Sequence, residues 1–147
     1  MRFRLPRVLL HVALLPGLCG LAHAAGRLEV THAWIRSAPP GAMMRAGYAV
    51  LRNSGDADVT IVGADSEAFG SVSLHESVEQ DGVERMRPLG RLRIAPGASV
   101  TLAPRGKHLM LMQPKRALKS GDSATVRIAI DAGNAVPIDF VVRDEAP

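Results

Sequence analysis

The chain has 147 residues, 47% of them hydrophobic and 3% aromatic, and its 18 basic and 14 acidic side chains give a formal net charge of +4. Three of the basic residues, Arg2, Arg4 and Arg7, stand at the extreme N-terminus. The remainder is therefore close to neutral, and its charge does not predict binding to nucleic acid.

The first 24 residues have the order of a secretory signal peptide. MRFRLPR is cationic, VLLHVALLPGLCGLA is apolar, and AHA at 22–24 is a small-x-small cleavage site. The apolar run is shorter than the roughly 20 residues of a spanning helix and contains Pro16, so we do not expect a membrane anchor. Lipidation at Cys19 is the alternative, but Leu18 is bulky where a small residue is wanted. The sequence therefore predicts a signal peptide over 1–24 and export to the periplasm.

Cleavage after Ala24 leaves 123 residues, 25–147, as one predicted domain. This mature chain has 15 basic and 14 acidic side chains, because the leader removes three arginines and no acid. It also has no cysteine, since Cys19 is the only one. A chain without thiols suits an oxidising compartment, and no stable membrane insertion is expected after cleavage.

Short apolar runs separated by turn residues follow along the mature chain. In order they are LEVTHAWIR, AGYAVLRN, DVTIVGA, SVSLHES, VERMRPL, SVTLAP, KHLMLM, ATVRIAI and VPIDFVV. The intervening segments are rich in Gly, Pro, Asp, Asn and Ser, such as NSGDAD, EQDGV and DAGNA. Short strands at this spacing predict an all-β sandwich or Greek-key barrel. At most one helical turn is expected, in AFGS near residue 70.

The run KHLMLM at 107–112 alternates two kinds of side chain. Successive residues of a strand point to opposite faces, so Leu109 and Leu111 are predicted to lie in the core. His108, Met110 and Met112 then lie on the other face. In SVSLHES the same alternation separates the apolar face from the face that carries His75.

Four His and Met residues form a spaced set, H-x10-M-x21-H-x-M, at His75, Met86, His108 and Met110. Thioether sulfur is a soft, uncharged ligand that favours Cu(I), and imidazole binds copper in either oxidation state. A blue-copper centre would need a cysteine, and zinc prefers nitrogen, thiolate and carboxylate ligands. The set therefore predicts a Cu(I) site.

This spacing resembles the motif of the PCuAC family of periplasmic copper chaperones. Further matching stretches are AWIRSAPPG, AGYAVLRNSG, LHESV, ERMRPLG and GKHLMLM, so that the resemblance covers about residues 33–143. It implies a cupredoxin-like β-sandwich that binds one Cu(I) ion through His75, Met86, His108 and Met110. It also implies delivery of copper to the CuA centre of cytochrome c oxidase, with an oxidase subunit or a thiol-bearing assembly factor as the partner.

The chain departs from some relatives in two places. Glu76 follows the first histidine where some relatives have a second methionine, and the chain ends at VVRDEAP without a His/Met-rich extension. Glu76 therefore leaves no fifth ligand at that position, and the missing extension argues against a second, divalent copper site. Copper sequestration for tolerance is the alternative function, and an enzyme is not expected, because the mature chain has only three histidines.

Three further methionines are possible auxiliary residues. Met112 shares the face of Met110, but two residues of strand span about 6 to 7 Å, so we predict packing beside the ion rather than ligation. Met43 and Met44 follow APPGA and are predicted to lie in a loop; they could screen the metal or guide a partner, but we favour packing or plain exposure. His32, at an alternate position to Trp34, is interpreted as structural.

Overall fold

The computed structural model describes residues 25–131 and 133–147, so the predicted signal peptide lies outside the described residues. Ten strands follow one another: β1 (Leu28–Arg36), β2 (Met44–Asn53), β3 (Val59–Asp65), β4 (Phe69–Gln80), β5 (Val83–Pro88), β6 (Leu92–Ile94), β7 (Ser99–Leu102), β8 (Lys107–Pro114), β9 (Ser123–Ile130) and β10 (Ala135–Arg143). The described residues contain no helix. In particular, the structure shows no helix in this part of the chain that could cross a membrane.

Seven of the strands close into a barrel in the order β4-β8-β2-β1-β10-β9-β3. The ring is completed between β3 and β4, where Ala64 pairs with Val72. β1 and β10 run parallel and the other paired strands antiparallel. β5, β6 and β7 extend the sheet from β4, β3 and β2 respectively. The all-β, single-domain prediction is confirmed, in the form of a closed barrel.

The barrel is filled by the inward side chains of the alternating strands. The most completely buried members include Ile35, Leu111, Val126, Phe140 and Val142, each at 0% exposure. β2 and β8 come close together at Gly47, where a Cβ would lie 3.0 Å from Leu111 Cδ1 and 3.3 Å from Leu109 Cβ. Leu109 and Leu111 thus lie in the core as predicted.

The hairpin of β4 and β5 extends beyond the barrel. Asp81 and Gly82 connect the two strands, and both have positive φ, of 54° and 74°. Two residues with positive φ form the type I′ turn that Asp-Gly favours, because its twist matches that of the flanking strands. All six residues of β5 are exposed, so this strand is held mainly by its pairing with β4.

The structure refines two local predictions. Ser66 to Phe69 form a tight turn, with the Phe69 amide donating to the Ser66 carbonyl at 3.4 Å, and Phe69 already begins β4, so AFGS contains no helical turn. His32 lies at a β-bulge between Thr31 and Trp34, with φ of 53° and an exposed side chain. Its ring Nδ1 lies 3.2 Å from the Thr31 hydroxyl, and its structural contribution is the backbone conformation of the bulge.

Candidate metal centre

Three of the four predicted ligands line one cavity on the outer face of the barrel. This cavity has a volume of about 180 Å³ and is bordered by Met86 of β5, together with His108 and Met110 of β8. The end of β1, the loop after it and the start of β2 complete the wall through Arg36, Ser37, Ala38, Met44, Arg45 and Ala46. Residues far apart in the sequence therefore meet here because β5, β4, β8 and β2 are successive neighbours in the sheet.

The fourth predicted ligand, His75, lies directly beside this cavity. His75 on β4 is the Cα partner of His108 on β8, and their ring centroids are 6.2 Å apart. Met110, two residues further along β8, is opposite Ser73. On the other side of β4, Met86 is opposite Ser77. Directly opposed residues share a face, so all four side chains lie on one side of the sheet.

The histidine of β8 is oriented by the backbone. His108 is 7% exposed, and its Nδ1 is 3.0 Å from the Gly106 carbonyl oxygen. A carbonyl only accepts hydrogen bonds, so Nδ1 carries the proton and Nε2 of the neutral ring keeps its lone pair. Metal-binding imidazoles typically donate their other ring N–H to a carbonyl of this kind, which sets both the tautomer and the orientation of the ring.

The histidine of β4 has a buried nitrogen without a partner. His75 Nε2 lies 3.0 Å from the Ser73 hydroxyl, whereas Nδ1 is buried and has no hydrogen-bond partner within the described residues. Burial, and then the proximity of His108, lower the pKa of His75. Both effects favour the neutral imidazole, which is the form that binds a metal ion.

Glu76 ties together the three strands that carry the four residues. Its carboxylate accepts a hydrogen bond from Lys107 Nζ of β8 at 2.8 Å and from Arg87 Nη2 of β5 at 2.8 Å. The hydrogen bonds from Lys107 and then Arg87 lower the pKa of Glu76. Glu76 is next to His75 in sequence, Arg87 is next to Met86, and Lys107 is next to His108. Glu76 thus clamps these strands together from the face opposite to that of the four residues.

The wall of the cavity contains two cations and no carboxylate. Arg36 and Arg45 both line it. Arg45 is 6% exposed; its Nη2 donates to the Leu118 carbonyl at 2.9 Å, and its Nε and Nη1 have no partner in the described chain. Positive charge close to the cavity disfavours an ion of charge +2 more than one of charge +1. In the described residues, no three His, Cys, Asp or Glu side chains come together as a metal-binding group.

The auxiliary methionines occupy different positions. Met44 lies in β2 and lines the cavity, which corrects the prediction that it belongs to a loop, whereas Met43 lies in the bend before β2 and is 60% exposed. Met112 is half-buried opposite Met44. The two arginines of the wall were not identified from the sequence. The residue pattern of one strand does not predict which of its side chains will line a cavity formed with other strands.

The fold and this cavity define a single-domain β-barrel with thioether and imidazole side chains grouped on its outer face. The LpqE-like family, described as "Putative lipoprotein LpqE-like", matches residues 28–142, and the chain belongs to this family. A relative from Leifsonia xyli subsp. xyli, "Putative lipoprotein Lxx21020", is 33% identical over 153 residues, which cover 96% of this chain and 91% of the relative.

Two similar solved structures are described as containing copper, and the first carries the name of the family suggested by the motif. The "Copper-bound PCuAC domain from PmoF2" is similar with a TM-score of 0.67 and 26% identity, covering 85% of this chain and 97% of that domain. The solution structure of "CuI-DR1885" from Deinococcus radiodurans has a TM-score of 0.63 and 25% identity, covering 88% and 86%. The resemblance to PCuAC proteins and the cupredoxin-like fold are thereby confirmed.

Proposed function

We propose that this chain is a periplasmic copper chaperone that binds one Cu(I) ion through His75, Met86, His108 and Met110. The observation that carries this proposal is the meeting of Met86, His108 and Met110 at one cavity, with the ring of His75 beside that of His108. Two of the similar solved structures are described as containing copper, one of them as Cu(I).

The chemistry of the donor set favours Cu(I) over divalent ions. Two thioethers and two neutral imidazoles add no negative charge, so an ion of charge +2 would remain poorly neutralised. Arg36 and Arg45 in the wall add to this preference. The unpartnered Nδ1 of His75 suits a metal ligand, since coordination would satisfy a buried nitrogen that otherwise costs about 1–3 kcal/mol.

The exposure of the site suits transfer rather than permanent storage. Met86 is 53% exposed on the outermost strand of its hairpin, so an incoming thiolate or thioether can replace it before the buried His108 is released. The receiving partner is an oxidase subunit that holds the CuA centre, or a thiol-bearing assembly factor. The predicted leader and the lipoprotein description of the family support a place outside the cytoplasm.

Competition with a Cu(I) chelator tests the assignment of ligands. The unaltered protein is expected to bind one ion tightly, and the double variant His108→Ala, Met110→Ala is expected to lose that binding. Met43→Leu is a suitable control, because Met43 is exposed outside the cavity. Unchanged stoichiometry and affinity in the double variant would defeat the proposal.

Gene deletion separates delivery from sequestration. If the protein delivers copper, the deletion lowers cytochrome c oxidase activity at limiting copper, and added copper restores it. Normal oxidase activity combined with loss of copper resistance would support sequestration instead.

A further inference from the structure

Two more methionines stand side by side on the face that carries His108 and Met110. Met44 of β2 is the Cα partner of Met112 of β8 in an antiparallel pair. Directly opposed residues have Cβ atoms about 4.5–5.5 Å apart and their side chains on the same face. The thioethers of this pair can therefore reach a common ion.

This pair adjoins the proposed four-residue site. Met112 follows Met110 by two residues, a distance of about 6 to 7 Å along a strand. Met44 lines the same cavity as Met86, His108 and Met110. Methionine has three rotatable side-chain bonds, so neighbouring thioethers on β8 can contact a moving ion in turn.

Packing in the barrel does not account for the pair. Met44 and Met112 are both absent from the cluster of buried core residues and from the half-buried residues packed against it. Met44 is 47% exposed and Met112 is half-buried. A single exposed apolar side chain is ordinary, but here two soft donors from adjacent strands meet at the edge of a cavity lined by the same kind of donor.

Building on the proposed function, we infer that Met44 and Met112 form a second, weaker Cu(I) site through which the ion enters and leaves the first. Two thioethers bind less tightly than two thioethers and two imidazoles, so the second site fills after the first. All the ligands are neutral, so transfer between the sites moves the single charge of the ion and requires neither proton release nor electron transfer.

Titration of the mature protein with Ag(I), a soft monovalent ion that is not readily oxidised, tests this inference. Each of the five methionines of residues 25–147 is followed by NMR of 13C-labelled methyl groups. The first equivalent is expected to shift Met86 and Met110, and a second ion, bound at least about tenfold more weakly, to shift Met44 and Met112. Cu(I) release to a chelator is followed in parallel.

The variant Met44→Leu, Met112→Leu preserves side-chain volume and is expected to keep the first ion, lose the second and release Cu(I) more slowly. Met43→Leu, an exposed neighbour outside the cross-strand pair, is expected to keep both ions and the release rate. Weaker binding of the first ion in the double variant would overturn the inference by placing the pair in the first site. A single tight ion with no second one overturns this inference alone, whereas a protein that binds no ion overturns the proposed function as well.

Discussion

His75 and His108 face each other across β4 and β8, with ring centroids 6.2 Å apart and ring planes inclined by 31°. Burial, and then the proximity of His108, lower the pKa of His75. The imidazole of His75 is thus favoured in the neutral form, which is available to a metal ion in the metal-free protein. Such an arrangement serves binding at some expense to the stability of the fold, because a buried nitrogen is left without a partner.

Replacement of His75 by leucine tests this relation between binding and stability. We expect His75→Leu to weaken Cu(I) binding while leaving the free energy of unfolding of the metal-free protein unchanged or raised by about 1 kcal/mol, because an unsatisfied buried nitrogen is removed. Urea denaturation of the metal-free protein measures the effect. A loss of stability of more than about 1 kcal/mol would contradict the role given to that nitrogen.

Glu76→Gln tests the clamp between the strands. The amide keeps the size of the side chain but loses the charge that binds Lys107 and Arg87, so β5 is held less firmly. We expect the dissociation constant for Cu(I) to rise by about tenfold, as for other residues that position metal ligands. Glu79→Gln, at an exposed position further along the same hairpin, is the matched control. Equal affinities of the two variants would show that the clamp does not position Met86.

Substitutions on the two faces of β8 are expected to have opposite effects, with one lowering stability and the other weakening Cu(I) binding. Leu111→Ala removes a completely buried side chain and should lower the free energy of unfolding by about 2–5 kcal/mol, while the folded protein still binds Cu(I). Met110→Leu preserves volume and should change stability by less than about 1.5 kcal/mol, while binding is weakened. Denaturation and chelator competition on both variants measure the pair of effects. A large loss of stability in Met110→Leu would instead make Met110 a packing residue.

Cu(I) should stabilise the native protein by mass action. At a free Cu(I) concentration 100 times the dissociation constant, we expect a gain of about 2.7 kcal/mol in the free energy of unfolding, seen as a rise in the melting temperature. The His108→Ala, Met110→Ala variant should show no such rise. A β-barrel without a metal function would show none in the unaltered protein either.

The mass of the exported protein determines where the predicted signal peptide is cleaved. Cleavage before Ala25 predicts a mature chain of 123 residues that begins AGRLEV. Expression of the full chain in a host with a periplasm, followed by intact-mass measurement of the periplasmic fraction, checks this. A membrane-bound, lipidated species that disappears in Cys19→Ser would replace this prediction with lipidation.

The sequence by itself determined the features that depend on neighbouring residues. Alternation in KHLMLM separated the core residues Leu109 and Leu111 from His108 and Met110, because side chains along a strand alternate between faces. The Asp81-Gly82 turn was equally local, since only those two residues must adopt positive φ. Residue type and spacing were also enough to predict soft-metal chemistry and the family.

Only the tertiary structure decided which distant residues meet. The register that sets His75 opposite His108 and Met44 opposite Met112 depends on strand pairing around the closed barrel, which no single strand specifies. The same holds for Arg45, whose place in the cavity wall follows from the packing of β2 against the loop that contains Leu118. Local patterns assign a side chain to a face, whereas pairing around the barrel brings the side chains of four strands to one cavity.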